Sequence, residues 1–182
     1  NAIELLKKNK SRINWRMLSM NPNAIELLKK RIEYENNLSK VEYNDLKRYD
    51  KIDWSMLSTN SNAIDLLLDN KDKIDWVKLS KNPKAIELLK EQITYENKLS
   101  RVEYDKLKYS KQINWDELSA NPNAIELLTN NQDKIDWDNL SRNPNAIDLL
   151  LDNKDQINWC GLSQNPNAIE LLRERIEYEN KL

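Results

Sequence analysis

The sequence predicts an all-α fold, an α-solenoid of short two-helix repeats of about 19–22 residues each. Three observations predict it. Tryptophan recurs at 15, 54, 76, 115, 137 and 159, at spacings of 39, 22, 39, 22 and 22. Around it runs one motif, Ile-[Asp/Asn]-Trp-x-x-Leu-Ser-x-Asn-Pro-Asn-Ala-Ile-[Glu/Asp]-Leu-Leu, with small departures from copy to copy. Nowhere do apolar and polar residues alternate with the period of two that a half-buried strand requires.

The first helix of each repeat starts at tryptophan. Asn14, Asp53, Asp75, Asn114, Asp136 and Asn158 each precede one, and Asn or Asp is a preferred N-cap. The second helix is expected to start at Asn-Pro, with Asn as N-cap and proline at the first helical position, where a missing N–H costs nothing. Pro22, Pro83, Pro122, Pro144 and Pro166 all follow an asparagine, and Asn60-Ser61 is the one such junction without proline. Ala24, Ile25, Leu27 and Leu28 then give a broad apolar face that must be buried by neighbours. Asn70, Asn131 and Asn153 suit the helix exit, since asparagine tolerates the left-handed conformation better than most residues.

The two 39-residue spacings contain Tyr34 and Tyr95, each two residues after an isoleucine, as tryptophan is, so tyrosine is expected to open a variant unit. Two 61-residue super-repeats, 15–75 and 76–136, align without a gap. In the variant units Ser39…Glu42 and Ser100…Glu103 are capping boxes that predict further helices. Tyr43, Leu46 and Tyr49 follow at spacings of three. A pair of helices this short cannot bury its own apolar face, so each unit must pack against the next, and residues 1–182 read as a single repeat array.

Composition excludes several function classes. There is no His, one Cys (Cys160) and one Gly (Gly161), against 26 Asn. That removes histidine-based acid–base and nucleophilic chemistry, soft-ligand metal sites and glycine-rich phosphate loops. No enzyme and no cofactor are expected. Lys and Arg number 29 against 30 Asp and Glu, a balance that argues against a generic polyanion binder. No apolar run approaches the ~18 residues of a membrane span, so no membrane insertion is expected. Cys160 lacks a partner base and is read as incidental. The carboxylate pairs Asp65/Asp69 and Asp148/Asp152 are spaced as solvated helix faces.

The positions that differ between repeats while the frame holds are the informative ones. They lie one, two and five residues after each tryptophan. Among them Arg16, Met17, Met20, Met56, Val77, Lys78, Lys81, Asp116, Glu117, Asp138 and Arg142 form the candidate partner surface. Its character runs from apolar to acidic along the chain, which fits protein contact better than a nucleic-acid track with its basic stripe. Repeat-based RNA or DNA binding is the alternative; it requires basic residues at one slot in successive units, and here the sign changes.

The segments NPNAIELL and DKIDW…LS resemble the Asn-Pro-Asn-Ala-Ile/Ile-Asn-Trp tandem repeats encoded by large nucleocytoplasmic DNA viruses, the giant viruses. The resemblance covers the six Trp units, roughly two-thirds of the chain, and brings no known activity with it. It implies a viral setting, in the virion or the host cytoplasm, with viral structural or host proteins as partners. The expected function is therefore a non-enzymatic interaction or structural scaffold, as in a capsid-associated virion component. The chain opens inside a unit at Asn1-Ala2-Ile3 and closes just after Tyr178 in another, without polar capping repeats. It is thus expected to be a segment of a longer solenoid, whose ends would associate end to end or dock on another subunit.

Overall fold

A computed structural model describes residues 13–181; the opening Asn1-Ala2-Ile3 lies outside the described residues. All regular structure among the described residues is helical. They divide into two compact units. One runs through Ala85 and takes in Lys108–Lys111; the other holds Ile86–Leu107 and everything described from Gln112 onward.

The first unit contains α1 (Trp15–Leu18), α2 (Ile25–Asn36), α3 (Lys40–Asp45), a 3₁₀ turn at Arg48–Asp50, α4 (Trp54–Thr59), α5 (Ile64–Leu68), a 3₁₀ turn at Lys71–Lys73 and α6 (Trp76–Leu79). The 3₁₀ turn Tyr109–Lys111 also belongs to it and packs on α6, as Arg48–Asp50 packs on α1. The second unit contains α7 (Ile86–Glu96), α8 (Arg101–Asp105), α9 (Trp115–Ser119), α10 (Ile125–Thr129), a 3₁₀ turn at Gln132–Lys134, α11 (Trp137–Arg142), α12 (Ile147–Leu151), a 3₁₀ turn at Lys154–Gln156, α13 (Trp159–Leu162) and α14 (Ile169–Glu179). Successive Trp helices stack on one another: α4 on α6 in the first unit, α9 on α11 and α11 on α13 in the second.

Every Trp helix starts as the sequence indicates. Asp53 accepts the Met56 N–H at 3.0 Å and Asn114 accepts the Glu117 N–H at 2.8 Å, satisfying donors that have no partner inside the helix. In each unit the core is built from leucine and alanine at recurring positions. Leu57, Leu79, Leu118, Leu140 and Leu162, three residues after five of the six tryptophans, are fully buried, as are Leu28, Leu67, Leu128 and Leu150 on the second helices. Truncating any of these to alanine belongs to the class of changes that costs ~2–5 kcal/mol.

The Asn-Pro junction differs from the expectation. The second helices start at the isoleucine, with Ala24, Ala63, Ala124, Ala146 and Ala168 as N-caps that offer no side-chain bond. Asn-Pro-Asn-Ala is instead a β-turn: the Ala24 N–H donates to the Asn21 carbonyl at 3.1 Å, with Pro22 at the corner that its fixed φ suits. The Asn21 side chain accepts from Asn23 N–H at 3.0 Å, closing an Asx turn. Proline favours this turn but is not required, because Asn60-Ser61 forms it too, with Ala63 N–H on the Asn60 carbonyl at 3.0 Å.

The asparagine amide nitrogen has a second task, which sequence reading did not foresee. Buried Asn60 donates to the Ser19 and Asn21 carbonyls of the preceding repeat, both at 3.1 Å. Asn143 does the same toward Ser119 and Asn121, and Asn165 toward Ser141 and Asn143. Serine completes the staple in the opposite sense. The Ser19 hydroxyl donates to the Trp15 carbonyl and accepts the Asp53 N–H, each at 3.0 Å. Ser58 serves Asp75, Ser119 serves Asp136 and Ser141 serves Asn158 in the same way. No buried side-chain polar atom among the described residues lacks a partner.

At the helix exit, Asn70, Asn131 and Asn153 hold φ between −141° and −133°, and among the described residues none has a positive φ. They end the helix by a side-chain bond instead. Each amide donates to the carbonyl four residues back, at 2.8–2.9 Å, satisfying an orphan acceptor without a left-handed residue.

Tyr34 and Tyr95 do not open helices. They lie inside α2 and α7, which run on for 12 and 11 residues. The reason is local: Glu33 and Thr94 precede them where Asn or Asp precedes each Trp, so nothing caps a new start. The 22-residue spacing is thus a complete helix pair. The 39-residue spacing is the same pair with a lengthened second helix and an added segment, α3 or α8, carried on its capping box. Ser39 and Glu42 exchange both bonds of that box, as do Ser100 and Glu103. Helix α3 stops at Asp45, Leu46 is extended, and Tyr49 falls in the following 3₁₀ turn, so Tyr43, Leu46 and Tyr49 do not share one helix.

Candidate functional site

The candidate partner surface is only partly open. Met17 and Met20 are each 50% exposed, and Asp116, Asp138, Lys81 and Arg142 are exposed. Arg16, Met56, Lys78 and Glu117 are half-buried, and Val77 is buried. Two of the residues directly after tryptophan are engaged with the next repeat. Arg16 Nε pairs with Asp53 Oδ2 at 2.9 Å, and Asp138 Oδ1 accepts from Asn158 Nδ2 at 2.6 Å. In both cases the partner is the N-cap residue of the following Trp helix. The open part of the surface within the first unit is therefore a pair of methionines and one lysine (Met17, Met20, Lys81), and within the second it is charged (Asp116, Asp138, Arg142).

Cys160 is exposed, and Gly161 beside it is buried against the preceding Trp helix. A Cβ at position 161 would meet the Asp138 carbonyl oxygen at 3.1 Å and Ser141 Cβ at 3.4 Å, so glycine lets α13 approach α11 closely. Asp65, Asp69, Asp148 and Asp152 are exposed, as their spacing indicates. Among the described residues, no three His, Cys, Asp or Glu side chains come together as a metal site, and no helix is long and apolar enough to cross a membrane.

The tryptophans border the core. Trp15 and Trp76 are buried, whereas Trp54, Trp115, Trp137 and Trp159 are half-buried. Four of them carry a cation over the ring. Lys73 Nζ lies 4.9 Å from the centre of Trp54 and Lys134 Nζ lies 5.0 Å from Trp115. Arg31 and Arg175 lie over Trp15 and Trp159 at 5.1 and 5.2 Å. Where the following second helix is long, as in α2 and α14, an arginine from it supplies the cover. Where it is short, the lysine of the 3₁₀ turn does. Such contacts are worth ~0.5–1 kcal/mol at partly exposed sites.

Beside two of these rings lies a cleft that the 61-residue super-repeat reproduces. In the first unit a cleft of about 530 Å³ is lined by Glu35, Asn36, Leu38, Lys40, Tyr43, Trp54 and Lys73. In the second a cleft of about 490 Å³ is lined by Glu96, Asn97, Leu99, Arg101, Tyr104, Trp115 and Lys134. Each residue of the second set stands 61 positions after its counterpart, and the one change, Lys40 to Arg101, keeps the charge. Lys73 Nζ is held by Asn36 Oδ1 at 2.6 Å and Lys134 Nζ by Asn97 Oδ1 at 2.8 Å.

At the back of each cleft sits a buried carboxylate committed to the fold. Glu35 accepts from Ile52 N–H at 2.9 Å and from Arg31 Nε at 3.0 Å. Glu96 accepts from Ile113 N–H at 2.8 Å and from Gln92 Nε2 at 3.0 Å. Burial raises both carboxyls above the ordinary 4.5, against the pull of these hydrogen bonds and of the nearby lysine. The hydroxyls of Tyr43 and Tyr104 are raised as well, by their own burial and then by the charge of the neighbouring glutamate. Neither cleft was singled out from the sequence. The signal that marks them is the exact recurrence at 61 residues of Asn36/Asn97 and Tyr43/Tyr104, which lie outside the buried core.

Compared with known proteins, the chain matches no family model, no curated protein and no solved structure.

Proposed function

We propose that this chain is a non-enzymatic scaffold that binds other proteins through exposed residues on and just after its Trp helices. The observation that carries the reading is a division of labour within the repeat. Serine, asparagine, leucine and alanine are spent on holding each repeat to the next, while Met17, Met20, Lys81, Asp116, Asp138 and Arg142 reach the surface from fixed register positions and differ from copy to copy. A frame that keeps its spacing while its surface changes suits recognition of partners with uneven chemistry. The resemblance of the Asn-Pro-Asn-Ala-Ile repeats to those of the giant viruses supports a structural component of a large viral particle, acting in the virion or in the host cytoplasm.

Site-specific crosslinking in the native assembly tests this. A photoreactive residue at Met20 or Asp116 should give a discrete adduct with another protein, and one at exposed Asp65 on α5 should not. Adducts of equal yield from all three positions, or from none, would overturn the assignment.

A further inference from the structure

We infer that the paired clefts at Trp54 and Trp115 are binding sites for an acidic, apolar peptide segment, each taking one carboxylate side chain and the apolar residue beside it. The inference rests on the reading of the chain as a protein-binding scaffold and names the chemistry of a site that the reading leaves open. Three observations support it. The first is charge. Lys73 and Lys40 stand at the first cleft, Lys134 and Arg101 at the second, while the acidic residue of each cleft is buried and already accepts two hydrogen bonds. Lys40 and Arg101 are exposed and Lys73 and Lys134 half-buried, so an incoming anion can reach a cation at each cleft without displacing Glu35 or Glu96 from its bonds; Arg101 also lies 4.0 Å from the exposed Asp105. Asn36 Oδ1 takes one of the three donors of the Lys73 ammonium, and the others suit a carboxylate.

The second is the apolar lining. Tyr43 and Leu38 in one cleft, Tyr104 and Leu99 in the other, are half-buried and offer a wall for an aliphatic side chain. The third separates a peptide from a nucleic acid. A base needs an open aromatic face to stack on. One face of Trp54 and one of Trp115 carry the Lys73 and Lys134 ammoniums at 4.9 and 5.0 Å, so on that face each ring presents a cation where a base would need to stack.

The test uses the full chain labelled with ¹⁵N at the tryptophan indoles, titrated with an acetylated, amidated hexapeptide of alternating Glu and Leu. The Gln-Leu hexapeptide and hexauridylate serve as comparisons. The expected result is that the Glu-Leu peptide moves the Trp54 and Trp115 indole signals and leaves Trp137 in place, while the Gln-Leu peptide binds at least tenfold more weakly. Lys73→Met should weaken the response at Trp54 about tenfold without changing that at Trp115, and Lys134→Met should do the reverse. Lys40→Gln, at an exposed position where folding is not at stake, should weaken the Trp54 response several-fold. No movement of either indole, equal binding by the Gln-Leu peptide, or hexauridylate as the better ligand would each overturn the assignment. If crosslinks form at Met20 or Asp116 while the peptides fail, the clefts are excluded and the scaffold reading stands; if the peptides bind and those crosslinks fail, the partner surface is wrong and the clefts stand.

Discussion

The hydroxyl of Ser141 donates to the Trp137 carbonyl at 2.7 Å and accepts the Asn158 N–H at 3.0 Å, so one oxygen closes its own helix and holds the start of the next. Ser163 has the same bond to its own helix, to the Trp159 carbonyl at 2.9 Å, but is exposed. The contrast gives a prediction. Ser141→Ala leaves a buried-side N–H without its acceptor and should cost ~1–3 kcal/mol, whereas Ser163→Ala should cost a few tenths, both read from urea unfolding midpoints. At this scale the sequence is legible where one residue has one role. The Asn or Asp before each tryptophan is an N-cap, as composition and spacing imply. Asn21 and its equivalents do not start helices, because the helix-starting role that asparagine often takes is here replaced by an Asx turn. The amide donors to the preceding repeat depend on which carbonyls packing brings near, which no local pattern encodes.

Among elements, the difference between short and long second helices decides how the next Trp helix is received. Where α2 and α7 continue past the usual exit, Glu35 and Glu96 meet the N–H of Ile52 and Ile113, which follow the added segments. The price is a desolvated carboxylate. Because burial raises the Glu96 carboxyl, the folded chain holds that proton more tightly than the unfolded one. Its contribution to stability is complete below pH 4.5 and is lost as the pH rises through the raised folded value. Glu96→Gln keeps an acceptor for Ile113 and removes the charge. We expect the variant to be at least as stable as the parent at pH 7, with the difference narrowing as the pH is lowered toward 4.5, by urea unfolding across that range. The two long spacings show where sequence reading reached its limit. Isoleucine two residues before Tyr34 mimics the tryptophan register, but a helix continues until something stops it, and Glu33 does not. The cation cover of the tryptophans was equally hidden, since Lys73 lies 19 residues from Trp54 and Arg31 lies 16 from Trp15.

For the molecule as a whole, stability follows nearest-neighbour contacts, as in other arrays of stacked repeats. The bonds between repeats have fixed register, so whole periods are interchangeable. Deleting residues 137–158, one complete 22-residue period, brings Trp159 directly after Asp136 and sets Asn165 to donate to the Ser119 and Asn121 carbonyls that Asn143 now uses. The shortened chain should keep its helical circular dichroism per residue and a cooperative unfolding transition, whereas deleting 21 residues from the same place should lose both. The staples also have a direction. In each staple described, asparagine donates backward along the chain and serine accepts from the repeat ahead, so a period can be copied head to tail but never inverted. In genetic terms this makes length a cheap variable. Unequal recombination between in-frame copies would add or remove whole periods without creating a new junction, and each added period would bring its own set of surface positions on which selection could act.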